Sequence, residues 1–196
     1  MHTFIFATNN TNKVNEIRSV LANRFQLISL KEAGIDIDIP EPHLTLEENA
    51  SEKSSTIHKL TGKDCFSEDT GLEVIALNGA PGVKSARYAG DENDNKKNIA
   101  LLLSNLEGIE NRQAQFRTIV SLIQSGKEYF FEGVCKGVIT LEEKGEKGFG
   151  YDAVFIPEGS DKTFAEMDME QKNKFSHRKK AITKLIDFLN NEDEQD

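Results

Sequence analysis

Thr3-Phe4-Ile5-Phe6-Ala7-Thr8-Asn9-Asn10-Thr11-Asn12-Lys13-Val14 is the stretch from which the fold is read. The unbroken apolar run from Thr3 to Ala7 reads as a strand buried on both faces, and the polar turn Thr8 to Asn12 ends it. Val14, Ile17, Val20 and Leu21 then recur at helical spacing, with Asn10 or Thr11 placed to cap. Strand, polar turn and helix in that order open an α/β protein, a class that binds ligands at strand ends.

The rest of the chain extends the pattern. Thr45-x-x-Glu48 is a capping box for a helix carrying Leu46, Ala50, Ile57 and Leu60. Cys65-Phe66 opens a strand expected to stop at Glu68-Asp69-Thr70-Gly71, with a turn at Asn78-Gly79 and a helix from Asn95 to Leu106 closed by Gly108. Residues 116–123, 129–139 and 151–156 read as strands, the first two joined by a Ser125-Gly126 turn. The last helix starts near Ser176, with Ile182, Leu185, Ile186 and Leu189 on one face. The expected fold is α/β, a mixed central sheet flanked by helices. With no repeat and no linker, residues 1–190 read as a single domain and the acidic residues 191–196 as a solvated tail.

Composition narrows the function. Of 196 residues, 37% are hydrophobic, enough for a sizeable core, and 33 acidic against 24 basic residues give a net charge of -9. That balance argues against a nucleic-acid or membrane-surface binder but not against a small anion held by a few focused cations. Cys65 and Cys135 form no C-x-x-C pair and read as buried thiols of a reducing compartment. Neither a signal pattern nor an apolar run of about 18 residues is present, so a cytoplasmic location is expected.

Four constellations could carry chemistry. Lys13 sits in the first turn of a helix, where a cation opposes the helix dipole. A phosphate resting on that helix N-terminus and on Lys13 would reverse the sign; a solvated lysine is the alternative. Ser176-His177-Arg178-Lys179-Lys180 repeats the oddity at the last helix. Lys179 and Lys180 also read as a solvated basic face, His177 and Arg178 less readily so. Two helices with cations at their starts suggest a polyanion between them. Glu68-Asp69, with Glu41 as a further ligand, offers the one or two carboxylates that magnesium takes beside phosphate oxygens. Such a carboxylate can also deprotonate a water. Gly148-Phe149-Gly150-Tyr151-Asp152-Ala153 matches G-x-G-x-x-A, but Val154-Phe155-Ile156-Pro157 after it reads as strand, so the dinucleotide-binding reading fails. A glycine-flanked aromatic stacking on a base, or a plain turn, are the readings left. P-loop, zincin and serine-hydrolase motifs are absent from the sequence.

Six stretches, in order, resemble one family. They are Thr8 to Lys13, Glu47-Glu48-Asn49-Ala50, Glu68-Asp69-Thr70-Gly71-Leu72, the run Gly79 to Tyr88, Gly148 to Asp152, and Ser176-His177-Arg178. Together they are similar to the inosine/xanthosine triphosphate pyrophosphatases, and the resemblance runs from residue 3 to about residue 189. It implies an elongated fold of two lobes around a substrate cleft, a homodimer, and Mg2+-dependent cleavage of ITP, dITP or XTP to the monophosphate and pyrophosphate.

The resemblance also assigns residues. Thr8, Asn9, Asn10, Thr11, Asn12 and Lys13 would hold the triphosphate and Asp69 would be the general base, sharing the metal with Glu41. Thr70 would touch substrate, and Phe149, Gly150, Tyr151, Asp152, Lys172, His177 and Arg178 would surround nucleoside and base. The chain departs from the family's usual Asp-Asp-Ser-Gly with Glu68-Asp69-Thr70-Gly71, from its frequent Glu-Thr-Gly with Glu41-Pro42-His43, and from a usual proline with Ala153. A nucleotide sensor without turnover, and a pyrophosphatase for modified pyrimidine triphosphates, are the rival readings.

Overall fold

The computed structural model describes residues 2–21 and 24–193. In chain order the elements are β1 (Thr3–Phe6), α1 (Thr11–Leu21), β2 (Gln26–Ser29), α2 (Leu46–Thr61), β3 (Cys65–Val74), β4 (Pro81–Gly82), α3 (Asn95–Asn105), β5 (Gln113–Gln124), β6 (Lys127–Ile139), β7 (Phe155–Pro157), α4 (Met169–Asn173) and α5 (His177–Asp193). Among the described residues the strands form a seven-stranded sheet ordered β2-β1-β3-β5-β6-β7, with β4 on β3. β1 pairs parallel with β2 and β3, whereas β3–β4 and β6–β7 are antiparallel. This is the mixed, helix-flanked sheet expected.

The chain divides into two compact units. The first comprises Met1–Asp69, Thr118–Gly133 and Arg178–Asp196. Its sheet is covered on both faces, which explains the unbroken apolar run of β1. Phe4 and Phe6 join Val14 and Ile17 of α1 and Ile182 and Leu185 of α5, while Ile5 and Ala7 join Ile57 of α2. β3 alternates in the same way: Phe66 faces the α1/α5 cluster and Cys65 the α2 side. Cys65 is a free thiol pushed up to about 12 by burial and by nearby Asp64, so it packs rather than reacts.

The second unit, Thr70–Arg117 and Val134–His177, has its own core around Leu72, Leu102, Phe116, Phe155 and Phe164. β3 does not stop at Gly71 as the sequence suggested but runs on to Val74, because Leu72 and Val74 keep its inward alternation. Gly71 permits this: a Cβ there would lie 2.6 Å from the Gly82 carbonyl oxygen of β4. Tyr151 is likewise not in a strand; a single helical turn, Asp152–Val154, precedes β7. α5 runs to Asp193, so the acidic end begins inside a helix, and residues 194–196 lie outside the described residues.

Candidate active site

Asp69 leaves β3 toward α2. Lys53, on the buried stripe of α2 between Ala50 and Ile57, donates to Asp69 Oδ1 at 3.0 Å and also to Glu41 Oε1. Asp69 is 6% and Lys53 7% exposed. Burial raises the Asp69 carboxyl above its ordinary value; Lys53, and then Lys13, only partly offset it. For Lys53 burial works to lower the value, but Asp69 and Glu41 together hold it above that of a free lysine. The ammonium therefore stays charged between its two acids. A carboxylate whose proton affinity is raised is suited to take a proton from water near neutral pH.

The same geometry tests a metal. The Lys53 ammonium already lies between Glu41 and Asp69, so these carboxylates converge on a cation, and oxygen donors of this kind suit a hard divalent ion. Among the described residues no group of three or more His, Cys, Asp or Glu gathers to hold a metal. Glu41 and Asp69 thus fit an ion that takes its other ligands from substrate and water.

The neighbouring residue of β3 points the opposite way. Glu68, 2% exposed, takes two bonds from Arg178 of α5, Nε to Oε2 at 2.7 Å and Nη2 to Oε1 at 2.8 Å. Arg178 also donates to Glu16 of α1, and Lys13 Nζ lies 3.2 Å from Glu68 Oε1. Burial would raise the Glu68 carboxyl, but Arg178 and Lys13 overcome it and hold it well below the usual carboxylate range. Glu68 is a permanent anion here.

These contacts change the reading of the helix starts. Arg178, 2% exposed, has Glu68 and Glu16 as counter-charges rather than a ligand's phosphates. At α1, Asn10 Oδ1 accepts from the N–H groups of Asn12 and Lys13 (3.0 and 3.2 Å), so it is the cap and takes amides that a phosphate cradle would use. Thr8 Oγ1 accepts from Asn10 N–H, and Asn9 Nδ2 donates to the Ile37 carbonyl. Asn9, Asn10, Thr11 and Asn12 remain exposed, with Thr8 and Lys13 half-buried. Thr70 follows Asp69 in β3, half-buried.

In the second unit Asp152 Oδ2 accepts from Lys172 Nζ at 2.6 Å and from the Phe149 N–H at 3.0 Å. Gly148 lacks a Cβ of necessity, since one would stand 2.1 Å from Asp152 Oδ2. Lys172 Nζ lies 5.4 Å from the Phe149 ring centre and 5.2 Å from that of Phe164. The His177 ring stacks on Phe116 at 4.7 Å. Tyr151 departs from the expected role beside a base: it is 3% exposed, and its hydroxyl donates to the Ser85 carbonyl at 2.8 Å. Gly150 adopts a positive φ of 60 in the turn. Lys179 and Lys180 are exposed, as a solvated face requires.

Sequence reasoning missed Lys53 and Glu16. The signal for Lys53 was present, a charge three residues after Ala50 and four before Ile57 on an apolar stripe; Glu16, beside Ile17 in α1, gave a weaker one.

The fold is α/β, with an acid–ammonium–acid constellation and, separately, a lysine–aspartate pair beside aromatic rings, and comparison with known proteins shows its family. Residues 4–188 match the model of the Ham1 family. A dITP/XTP pyrophosphatase of Flavobacterium johnsoniae is 49% identical over 185 residues, 94% of this chain and 96% of that protein. One of Porphyromonas gingivalis is 49% identical over 190 residues, 96% and 98%. The solved Ham1 protein of Staphylococcus aureus superposes with a TM-score of 0.87 at 39% identity, covering 97% of this chain and 99% of that one. This chain belongs to the Ham1 family.

Proposed function

We propose that this protein hydrolyses the aberrant purine nucleoside triphosphates ITP, dITP and XTP to the monophosphate and pyrophosphate, with Mg2+. The observation that carries it is the buried Glu41–Lys53–Asp69 constellation in a Ham1 chain whose near full-length relatives bear the name dITP/XTP pyrophosphatase. Asp69 takes a proton from the water that attacks the α-phosphorus, and pyrophosphate leaves. Lys53 keeps Asp69 oriented and offsets the negative charge gathered there. Glu41 and Asp69 would hold Mg2+, which when bound neutralises phosphate oxygens and the charge of the departing pyrophosphate. The side chains of Thr8 to Lys13, rather than the amides that Asn10 caps, take the triphosphate, and Thr70 touches it.

Base selection falls to the second unit. Lys172, steadied by Asp152, donates to the 6-oxo group, against which a 6-amino group offers no acceptor. Phe149 and Gly150 border the base, and His177 completes that surface. Arg178 is held in the first unit by Glu68 and Glu16. The same proposal includes a homodimer and a cytoplasmic location; no described helix is long and apolar enough to cross a membrane. Pyrophosphate release from ITP, XTP, dITP, ATP and GTP with Mg2+ tests it. Strong preference for the first three supports it, and equal turnover of ATP and ITP defeats the base selection. Tight ITP binding with no turnover would make the chain a sensor.

A further inference from the structure

We infer that Asn49 is a positioning residue for Glu41: its side chain pins the backbone two residues beyond Glu41 to the same face of α2 that carries Lys53. Asn49 Oδ1 accepts from the His43 N–H at 3.0 Å, and Asn49 Nδ2 donates to the His43 carbonyl at 3.2 Å. One side chain thus answers both polar groups of residue 43, as a neighbouring strand would. Asn49 is 1% exposed, so it has no water to fall back on if His43 moves. Lys53 stands one helical turn further along the same face, where it meets Glu41.

Ahead of Glu41 the segment is held by Ile37 and Ile39 against a buried cluster and by the Asn9 bond to the Ile37 carbonyl; beyond Glu41 the alternatives to Asn49 are weaker. Among the described residues the His43 ring reaches only Glu52, at 3.7 Å, with both side chains more than a third exposed. Thr45 caps α2 through the Glu48 N–H and donates to the Glu48 carboxylate, which fixes the helix start rather than residue 41. Leu44 is 83% exposed and anchors nothing. Here the chain has Pro42-His43 instead of a flexible Thr-Gly, and the amide clamp seats that stiffer segment so that the Glu41 carboxylate reaches Lys53.

This inference rests on the proposed role of Glu41, and a double-mutant cycle separates the two. Asn49→Ala, Glu41→Gln and the double variant are assayed with ITP over a range of Mg2+ concentrations. Mn2+ affinity is measured alongside by water-proton relaxation, with a saturating α,β-methylene analogue of ITP. Asn49→Ala should lower kcat about ten- to a hundredfold with KM for ITP shifted less than about threefold, and should weaken Mn2+ by about tenfold. In the Glu41→Gln background it should cost almost nothing further.

Normal kcat and Mn2+ affinity in Glu41→Gln would overturn the role of Glu41 itself. A slow Glu41→Gln with an unaffected Asn49→Ala, or an Asn49→Ala penalty of equal size in both backgrounds, would overturn the inference alone. If Asn49→Ala does not fold, Asn49→Asp keeps the volume and the acceptor but sets an oxygen against the His43 carbonyl. It is expected to show the same losses and the same collapse of the penalty beside Glu41→Gln.

Discussion

Both units hold buried charges but connect them differently. In the first, Lys13, Lys53 and Arg178 share four acids, Glu16, Glu41, Glu68 and Asp69, and every cation has a carboxylate within 3.2 Å. In the second, Asp152 and Lys172 pair at 2.6 Å, with aromatic rings beside the ammonium. A network spreads the loss of one member over several charges, whereas a single pair aims one donor. In the function proposed above, the first arrangement serves the triphosphate together with Mg2+ and the second serves the base.

The largest contrast should come from Asp69→Asn. Its kcat for ITP should drop about 10²–10⁴-fold, the range for removing a general base, with folding intact by circular dichroism. A near-normal kcat would take Asp69 out of the mechanism.

Glu68→Gln attacks the network itself and strips a buried arginine of its main counter-charge. It should destabilise the protein by about 3–5 kcal/mol in urea titrations at neutral pH. Because the folded-state value of Glu68 is depressed, that stability exists above the unfolded carboxylate value and disappears as pH falls through the lower folded one. The gap between wild type and Glu68→Gln should accordingly close in acid.

Lys172→Met leaves the network whole and should instead lower the ITP-to-ATP ratio of kcat/KM about 10–100-fold. An unchanged ratio would remove Lys172 from base selection. The smallest effect is a shift along the pH axis. The active Asp69 is deprotonated and its carboxyl is raised, so activity should fall with decreasing pH already above the ordinary carboxylate range. Lys53 works to lower that value, so Lys53→Met should move the acid limb of its residual activity to higher pH.

Much of this was legible in the sequence. The unbroken Phe4 to Ala7 run and the period of Ile182, Leu185 and Leu189 announced a sheet covered on both faces, because burial writes itself into hydrophobic spacing. Asp69 stands out in the sequence as a strand-end carboxylate, and Glu41 and Lys172 are candidates, Lys172 through the resemblance alone. The partnerships were not. That Arg178 answers Glu68 spans 110 positions and Glu16 162, and nothing local encodes a contact at such separation. β3 was cut short because Thr70-Gly71 looks like a turn, while the glycine is there to let Gly82 approach. Phe149 is the aromatic that the glycine pair singles out, while the bond from the Tyr151 hydroxyl to the Ser85 carbonyl is a tertiary fact.

The alternation of β3 also limits how this region of the gene can change. Phe66 and Glu68 share the side facing α1 and α5, while Cys65, Ser67 and Asp69 share the side facing α2, where Ser67 donates to the Ala50 carbonyl. Deleting or inserting one residue between Phe66 and Glu68 would exchange the destinations of the two acids, sending Asp69 toward Arg178 and Glu68 toward Lys53. Composition, length class and net charge would hardly change, yet the carboxylate that Arg178 holds and the one that Lys53 holds would trade environments. Frame-preserving single-residue indels between Cys65 and Asp69 should therefore be far more damaging than most point substitutions there.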